Sequence, residues 1–454
     1  MKPVSERKIA VVGAGLVGSL WAVYLARRGY QVDVYDRRPD IRKMKVVQGK
    51  SINLALSDRG WRGLHGAGLG EEIRKVALPM YGRLIHNLDG SIQYQPYGKD
   101  GQAIYSVSRG LLNQVLVQCA DSNEHVNLFF NHRCADIDLD KNEIEFIQED
   151  GAGVKKGYDH IFGTDGAYSA VRNRLMRQDR FDYSQTYLTH GYKELEIPGL
   201  ADGTHQLRND CLHIWPREEF MMIALPNIDG SFTCTLFLAF EGKDAFENLQ
   251  TREQVQSFFE KYFPDAVPLM PELLDDFFNN PTGSMVMVKC SPWNHGGKVS
   301  LIGDACHAIV PFYGQGMNCG FEDCTVLNDL LDQHGDNMDT ALPEFSRIRK
   351  PAADAILELA LRNYIEMRDK TGDPEFLLQK KIEARFSQKH PDKWIPLYSQ
   401  VTFSAIPYNE ALANGERQEK IMKQIMSMDN IESRWDSDDV EQIMLSLVEA
   451  VGGR

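Results

Sequence analysis

The sequence has few cysteines, and their spacing builds no metal or disulfide framework. Eight cysteines are spread over 454 residues, and no two of them form a CxxC pair. Zinc fingers and small disulfide-bonded scaffolds both depend on regular cysteine spacing, so neither class fits this chain. The sequence therefore predicts reduced thiols and a cytoplasmic protein.

Long apolar segments and an excess of positive charge are missing as well. The most apolar stretch, residues 221–240, contains Pro226, Asp229 and Gly230, so we interpret it as a hairpin and not as a membrane span. A strand pattern starts within the first ten residues, which leaves no room for a secretory signal. The net charge of −14 argues against a nucleic acid or an anionic membrane as the main partner.

The N-terminal segment, residues 8–38, is typical of a dinucleotide-binding βαβ unit. An apolar strand leads into Gly13, Gly15 and Gly18, which form a GxGxxG pattern before a helical stretch and a second strand. These glycines permit a sharp turn, close approach of the backbone to a pyrophosphate and close packing of helix on strand. Asp36 then stands where an acidic side chain accepts hydrogen bonds from a ribose hydroxyl. The segment predicts a bound dinucleotide, and a nucleotide-free βαβ scaffold is the alternative.

A second motif lies in the segment IFGTDGAYSAVRNRL, residues 161–175. An apolar approach ends at a turn, and a helix with a capping serine follows. The segment resembles the DGxxSxxR motif of flavin-dependent aromatic hydroxylases, and the matching residues are Asp165, Gly166, Ser169 and Arg172.

The stretch LIGDACHAIVPFYGQGMNCGFEDC, residues 301–324, resembles a further flavin motif of the same hydroxylases, GDAAHxxxP. Cys306 stands where alanine is usual, and Asp304 is the residue that hydrogen-bonds the ribityl chain of FAD in that family. The glycines of the following GQGMN run let the backbone lie beside the flavin ring. The alternative is a zinc site from Cys306, His307, Cys319 and Cys324. Their spacing fits no common zinc motif, so we predict no metal site.

Three motifs in this order resemble the FAD-dependent aromatic hydroxylases of the para-hydroxybenzoate hydroxylase type. The resemblance implies an α/β fold with a Rossmann-type FAD-binding domain, an antiparallel-sheet substrate domain and a C-terminal helical region. It implies that the FAD-binding domain comprises residues 1–75, 98–180 and 285–330. The substrate domain then comprises residues 76–97 and 181–284, and the helical region comprises residues 331–454. The sequence has no second strand–GxGxxG–helix unit, which fits NADPH binding transiently without a domain of its own.

The same resemblance implies one FAD held without a covalent link. The cofactor contacts that it assigns are Gly13, Gly15, Val17, Gly18, Tyr35, Asp36, Arg37, Arg38, Ala55, Arg109, Cys134, Asp165, Ala170, Asp304, Gly316, Met317 and Asn318.

Further segments, including HGYKEL, LHIWPR and NYIEM, resemble the kynurenine-hydroxylating branch of this family over roughly residues 8 to 411. The branch uses NADPH and dioxygen to hydroxylate L-kynurenine through a flavin hydroperoxide in tryptophan degradation. The substrate contacts that it implies are Arg83, Tyr97, Asn363, Tyr398, Glu366, Met367, Phe312 and Tyr313. No side chain is assigned as a general acid or base.

Alternatives and open questions remain at this point. The tail after residue 411 is charged, so we expect no membrane anchor of the kind found in eukaryotic members. A hydroxylase of another aromatic acid and a non-catalytic protein that keeps the FAD fold are the alternatives in function. The oligomeric state is not predicted.

Overall fold

The computed structural model describes residues 2–44, 52–98, 101–366 and 373–451. The strands are β1 (Lys8–Val12), β2 (Gln31–Tyr35), β3 (Asn53–Leu56), β4 (Leu78–Met80), β5 (Gly82–His86), β6 (Ile92–Pro96), β7 (Ile104–Ser108), β8 (Val126–Phe129), β9 (Arg133–Asp138), β10 (Glu143–Ile147), β11 (Gly153–Gly157), β12 (His160–Gly163), β13 (Asp182–Ile197), β14 (Cys211–Arg217), β15 (Phe220–Pro226), β16 (Phe232–Ala239), β17 (Gly283–Ser291), β18 (Asn294–His295) and β19 (Val299–Leu301).

The α-helices are α1 (Leu16–Arg27), α2 (Asp58–Gly66), α3 (Gly70–Arg74), α4 (Arg109–Asp121), α5 (Ala170–Leu175), α6 (Arg252–Tyr262), α7 (Leu273–Asn279), α8 (Asp304–His307), α9 (Gly316–Gln333), α10 (Met338–Ile365), α11 (Pro374–Lys389), α12 (Leu397–Thr402), α13 (Tyr408–Met426), α14 (Ile431–Arg434) and α15 (Asp438–Val451). None of the helices in the described ranges is both long and apolar enough to cross a membrane.

The first sheet has the order β18-β19-β12-β1-β2-β8 and is parallel except at β18. The βαβ unit predicted from the GxGxxG pattern is confirmed, because β1 and β2 pair in parallel across α1. Every residue of β1 after Lys8 is buried, as expected for a central strand that is covered on both faces. The carboxyl ends of β1, β12 and β19 therefore meet at one edge, and each of the three motifs begins there.

The largest sheet among the described residues has the order β17-β13-β16-β15-β14-β5-β6. The predicted hairpin over residues 221–240 is confirmed as the antiparallel pair β15–β16. Its other pairs are antiparallel too, except that β14 and β5 run parallel. No short turn joins β5 to β14, so the direction of this pair is set by tertiary packing and not by a hairpin.

The two faces of this sheet have different partners. One face packs on α6 and α7 through Phe259, Phe277 and other buried apolar side chains. The other face packs on the turn Pro311–Tyr313, on α10 and on α13. The C-terminal helices α11, α13 and α15 form a further apolar cluster. The sheet and the C-terminal helices thus enclose the region beside the turn at residues 311–313.

The predicted domain ranges remain a prediction. The strand β17 extends across the predicted boundary between residues 284 and 285. The strand β4 lies within the predicted substrate range 76–97 but pairs with β7, which belongs to the predicted FAD-binding range.

Candidate active site

The glycine turn between β1 and α1 is shaped for close approach of a ligand. Gly13 has a φ of +109°, and a Cβ there would lie 2.6 Å from the carbonyl oxygen of Thr164. A Cβ on Gly18 would collide with the Gly13 carbonyl. Gly15 instead has no neighbour within 4 Å of an added Cβ, so its backbone faces open space at the N-terminus of α1. Backbone N–H groups and the helix dipole favour a phosphate there.

Asp36 follows β2 and faces this turn. Its Oδ2 accepts a hydrogen bond from the Ala14 N–H at 2.9 Å, and Arg38 forms an ion pair with it at 2.9 Å. Burial raises the pKa of Asp36, but the bonds from Arg38 outweigh burial and the pKa is lowered. Arg37 is exposed beside this pair. The turn therefore carries an ionised carboxylate next to open backbone, which fits the ribose and pyrophosphate of a dinucleotide.

Two of the predicted cofactor residues have side chains that are packed in the core. The ring of Tyr35 stacks on Phe129 and Phe146 at 4.8 and 3.9 Å, while its carbonyl accepts the Gly13 N–H at 2.6 Å. Burial raises the pKa of the Cys134 thiol to about 12, so this thiol is protonated at neutral pH. Tyr35 therefore supports the glycine turn through its backbone.

The DGxxSxxR motif forms a helix cap. Asp165 accepts hydrogen bonds from the Ser169 hydroxyl at 2.5 Å and from the Ala170 N–H at 2.6 Å, and Ser169 caps α5 as predicted. Arg172 is buried and donates to the Ala305 carbonyl at 2.9 Å and to the Ala167 carbonyl at 2.7 Å. The arginine therefore links this motif to the GDACH motif.

The GDACH motif places Asp304 at the end of β19. Gly303 has a φ of +65° and lies against Val17 of α1, so the turn needs glycine there. The protein atoms around Asp304 raise the pKa of its carboxyl, and the nearby charges of Arg109 and His307 oppose this. Arg109 begins α4 and is exposed, and its charge acts on the Asp304 carboxyl. Two predicted cofactor residues from distant segments thus lie close together.

The GQGMN run begins α9. An added Cβ at Gly316 meets no atom within 4 Å, so the N-terminus of this helix is open. Asn318 is fully buried and donates to the carbonyls of Ala55 and Gly314 at 2.8 and 2.7 Å. Its Oδ1 accepts the Ser57 N–H at 2.9 Å. The Asn318 side chain and the Ala55 carbonyl thus fix the loop, and the backbone at Gly316 remains open. Met317 is buried in the adjacent core.

Arg83 lies among aromatic rings on the face of the large sheet that packs on α10 and α13. Its guanidinium is 5.5 Å from the ring centre of Tyr97 and 4.8 Å from that of Tyr398. The two tyrosine rings stack at 5.3 Å. Burial lowers the pKa of Arg83, but nearby Tyr398, Tyr97 and Glu366 more than offset it, and the pKa is raised. Within the described residues, Arg83 Nε and the Tyr97 hydroxyl are buried and make no hydrogen bond of ordinary geometry.

Among the remaining predicted substrate residues that the structure describes, Tyr313 joins the aromatic cluster at Arg83, and Phe312 and Asn363 lie at the adjoining turn. Tyr313 stacks on Tyr398 at 5.6 Å, and Phe312 stacks on Tyr364 at 3.8 Å. Asn363 donates to the Phe312 carbonyl at 2.8 Å, which joins the end of α10 to the turn at residues 311–313. Glu366 follows α10, and Met367 lies outside the described residues.

A buried ionic network was missed in the sequence. Glu322 binds Arg59 at 2.5 Å and Arg349 at 2.7 Å. Asp323 binds Arg349 at 2.7 Å and His307 at 2.6 Å. One signal in the sequence could have indicated this network. Glu322 and Asp323 lie in an otherwise apolar stretch of α9, and carboxylates that are buried with such a stretch require partners. The positions of the two arginines could not be found from spacing.

In the described part of the chain, Cys306, His307 and Asp323 are close enough to hold a metal ion. Arg349 already contacts Asp323 Oδ1 at 2.7 Å and lies 3.3 Å from the sulfur of Cys319. A cation at this position would meet the positive charge of that guanidinium, so the network is better explained as a set of ion pairs.

Comparisons with known proteins agree with this geometry. Residues 6–360 match the FAD binding domain family. The chain is 53% identical to kynurenine 3-monooxygenase of Flavobacterium johnsoniae, over 97% of this chain and 99% of that protein. It is 45% identical to kynurenine 3-monooxygenase of Sus scrofa, over 92% of this chain and 88% of that protein. Among solved structures, 2-methyl-3-hydroxypyridine-5-carboxylic acid oxygenase has a TM-score of 0.66 at 20% identity, covering 81% of this chain and 94% of that one.

The fold and the site define an FAD-dependent monooxygenase, as predicted. The open glycine turns and the Asp36 carboxylate fit FAD as its cofactor. The chain belongs to the kynurenine 3-monooxygenase family. The non-catalytic alternative is therefore without support.

Proposed function

We propose that this protein hydroxylates L-kynurenine to 3-hydroxy-L-kynurenine and consumes NADPH and dioxygen, as a cytoplasmic step of tryptophan degradation. Family membership supports the proposal. The observation that carries it is the placement of Arg83 among tyrosine rings beside the turn at residues 311–313, which leads into the open N-terminus of α9. A buried cation within a cluster of aromatic rings suits an aromatic amino acid with a free carboxylate.

Arg83 would bind the carboxylate of kynurenine. A guanidinium holds both carboxylate oxygens through parallel N–H bonds, which fixes orientation as well as affinity. The hydroxyls of Tyr97 and Tyr398 add donors near the same point, and Glu366 supplies a negative charge for the ammonium group. This cluster is surrounded by apolar side chains that limit hydration. In such surroundings the ion pair with the substrate is stronger than it would be in water.

Phe312 and Tyr313 would border the aminophenyl ring. Both side chains are buried, at 6% and 8% exposure, and both belong to the turn that precedes the flavin loop. They orient the ring and exclude water from the position where oxygen is transferred. Asn363 holds this turn by its bond to the Phe312 carbonyl.

FAD, when bound, supplies the electron transfer from NADPH and the activation of dioxygen. The chain's own residues bind the substrate, orient it and exclude water from the site. The amino group of kynurenine already donates electrons to the ring carbon beside it, so the proposal needs no side chain as a general base.

The test is product analysis with purified protein, kynurenine, NADPH and air. We expect 3-hydroxykynurenine in an amount close to the NADPH consumed. Parallel reactions with anthranilate and salicylate test the alternative of another aromatic acid. If either of these acids gives faster NADPH consumption than kynurenine, together with a matching amount of hydroxylated product, then that acid is the substrate and kynurenine is not.

A further inference from the structure

Arg59 is a buried arginine that has no part in the proposed chemistry. It lies in α2, and none of its side chain is exposed. Its Nε donates to the Val401 carbonyl at 2.8 Å, and its Nη2 donates to the Gln400 carbonyl at 3.2 Å and to the Ile406 carbonyl. One guanidinium therefore binds three backbone carbonyls of a segment that lies more than 340 positions further along the chain.

Two of these carbonyls belong to the C-terminal turn of α12. A helix leaves its last four carbonyls without partners inside the helix, and in a helix of six residues these are most of the carbonyls present. A cation at this end also interacts favourably with the helix dipole. Arg59 is thus a C-terminal cap that α2 supplies to α12.

The position of Arg59 is itself fixed from two sides. Its Nη1 binds Glu322 at 2.5 Å, and its guanidinium lies 4.0 Å from the ring centre of Tyr408. Glu322 is held in turn by Arg349 at 2.7 Å. Arg59 therefore connects α9, which begins at the open flavin loop, to the segment that follows α11.

The helix that Arg59 caps carries Tyr398. This tyrosine stacks on both Tyr97 and Tyr313 and lies over Arg83. We propose that Arg59 is a positioning residue for substrate, which holds α12 so that Tyr398 completes the carboxylate site at Arg83. The proposal rests on the substrate site put forward above.

Arg59→Lys is the first test, because lysine keeps the charge toward Glu322 but cannot reach the three carbonyls with one ammonium group. We expect the Kd for kynurenine, measured by perturbation of the flavin spectrum, to rise roughly ten-fold. FAD content should stay at the wild-type level, since the flavin loop keeps its own bonds. Arg62→Lys is the matched control, because Arg62 is exposed on the same helix. It should bind kynurenine like the wild type.

Glu322→Gln separates a general loss of stability from the positioning effect. It removes the negative charge that pairs with Arg59 and Arg349, but it keeps an amide oxygen that can accept from Arg59 and leaves the carbonyl bonds of Arg59 in place. This variant should unfold at a lower temperature and still bind kynurenine within about two-fold of the wild type, since Tyr398 stays in position. If Glu322→Gln and Arg59→Lys weaken kynurenine binding by the same factor, the proposal is overturned.

Action through Tyr398 is tested by repeating Arg59→Lys in a Tyr398→Ala background. The expected loss of affinity shrinks to about two-fold or less there, because the side chain that Arg59 positions is gone. The same loss in both backgrounds would overturn the proposal. Arg83→Ala distinguishes this outcome from failure of the site itself: if Arg83→Ala binds kynurenine normally, the substrate site is wrong, whatever Arg59 does.

Discussion

The guanidinium of Arg172 donates to the carbonyl of Ala305 at 2.9 Å, although the two residues are 133 positions apart. Arg172 ends one flavin motif, and Ala305 follows Asp304 in the other. Because Arg172 is buried and also binds the Ala167 carbonyl, the two turns are held in a fixed relation on the same edge of the first sheet. The motif arginine thus fixes the turn that carries Asp304, the residue we propose to contact the cofactor.

Replacement of Asp304 by alanine should weaken FAD binding without unfolding the protein. The carboxylate is the acceptor that the family resemblance assigns to the ribityl chain, and loss of that bond costs about 1–3 kcal/mol if a hydroxyl is left buried. Titration of the apoprotein with FAD, followed by quenching of flavin fluorescence, measures the change. Asp392→Ala, at an exposed position, serves as the control. Wild-type FAD affinity in Asp304→Ala would remove this residue from the site.

The ion pair of His307 and Asp323 should make stability depend on pH on the alkaline side. Burial lowers the pKa of His307, but Asp323 at 2.6 Å more than offsets it, and the pKa is raised well above its usual value. The stabilisation is complete below the pKa of the unfolded state and is lost as pH rises through the raised pKa. Thermal unfolding of wild type and His307→Asn should therefore differ most below the unfolded histidine pKa of about 6.5 and converge at high pH. A constant difference at all pH values would contradict this.

Local geometry was predictable from the sequence, and long-range pairing was not. The turn at Gly13, the capping by Ser169 and the hairpin at residues 221–240 follow from propensities within a few residues, and the structure contains each of them. The exact loop at Gly316 needed the family resemblance, because glycine runs alone do not specify a ligand.

The internal use of several motif residues could not be predicted. Asn318 directs its amide group to the carbonyls of Ala55 and Gly314, and Asp165 accepts the Ala170 N–H at the start of α5. The partners of Glu322 come from α2 and α10, which are far away in sequence. Such pairs depend on the tertiary arrangement, and no spacing rule encodes it.

Kynurenine should accelerate reduction of the flavin by NADPH, and Asn363 should be needed for this. Asn363 connects the end of α10 to the Phe312 carbonyl, so substrate bound at Asn363 also acts on the turn before the flavin loop. Stopped-flow absorbance with and without kynurenine gives the ratio of reduction rates. The ratio of the rate with kynurenine to the rate without it should fall toward one in Asn363→Ala. It should stay at the wild-type value in the control Glu358→Ala, because Glu358 is exposed on the same helix. Equal rates with and without kynurenine in the wild type would refute gating.

Arg83→Ala should weaken kynurenine binding by roughly ten- to a hundred-fold, because a charge-assisted hydrogen bond is worth about 1.5–3 kcal/mol. Arg83→Lys should recover only part of the loss, since an ammonium group cannot bind both carboxylate oxygens in parallel. Arg208→Ala is the matched control: its guanidinium also lies over a tyrosine, Tyr94, at 4.7 Å, but on an exposed surface. It should leave binding unchanged.

The carboxylate itself is tested with a kynurenine analogue that lacks it. This analogue never engages the guanidinium, so wild type and Arg83→Ala should bind it with nearly equal affinity. FAD content should remain normal in Arg83→Ala, because the contacts of the guanidinium are with the rings of Tyr97 and Tyr398, which we assign to the substrate. A variant that binds kynurenine like the wild type would exclude Arg83 as the clamp. A variant that loses FAD would show instead that the arginine supports the fold around the cofactor.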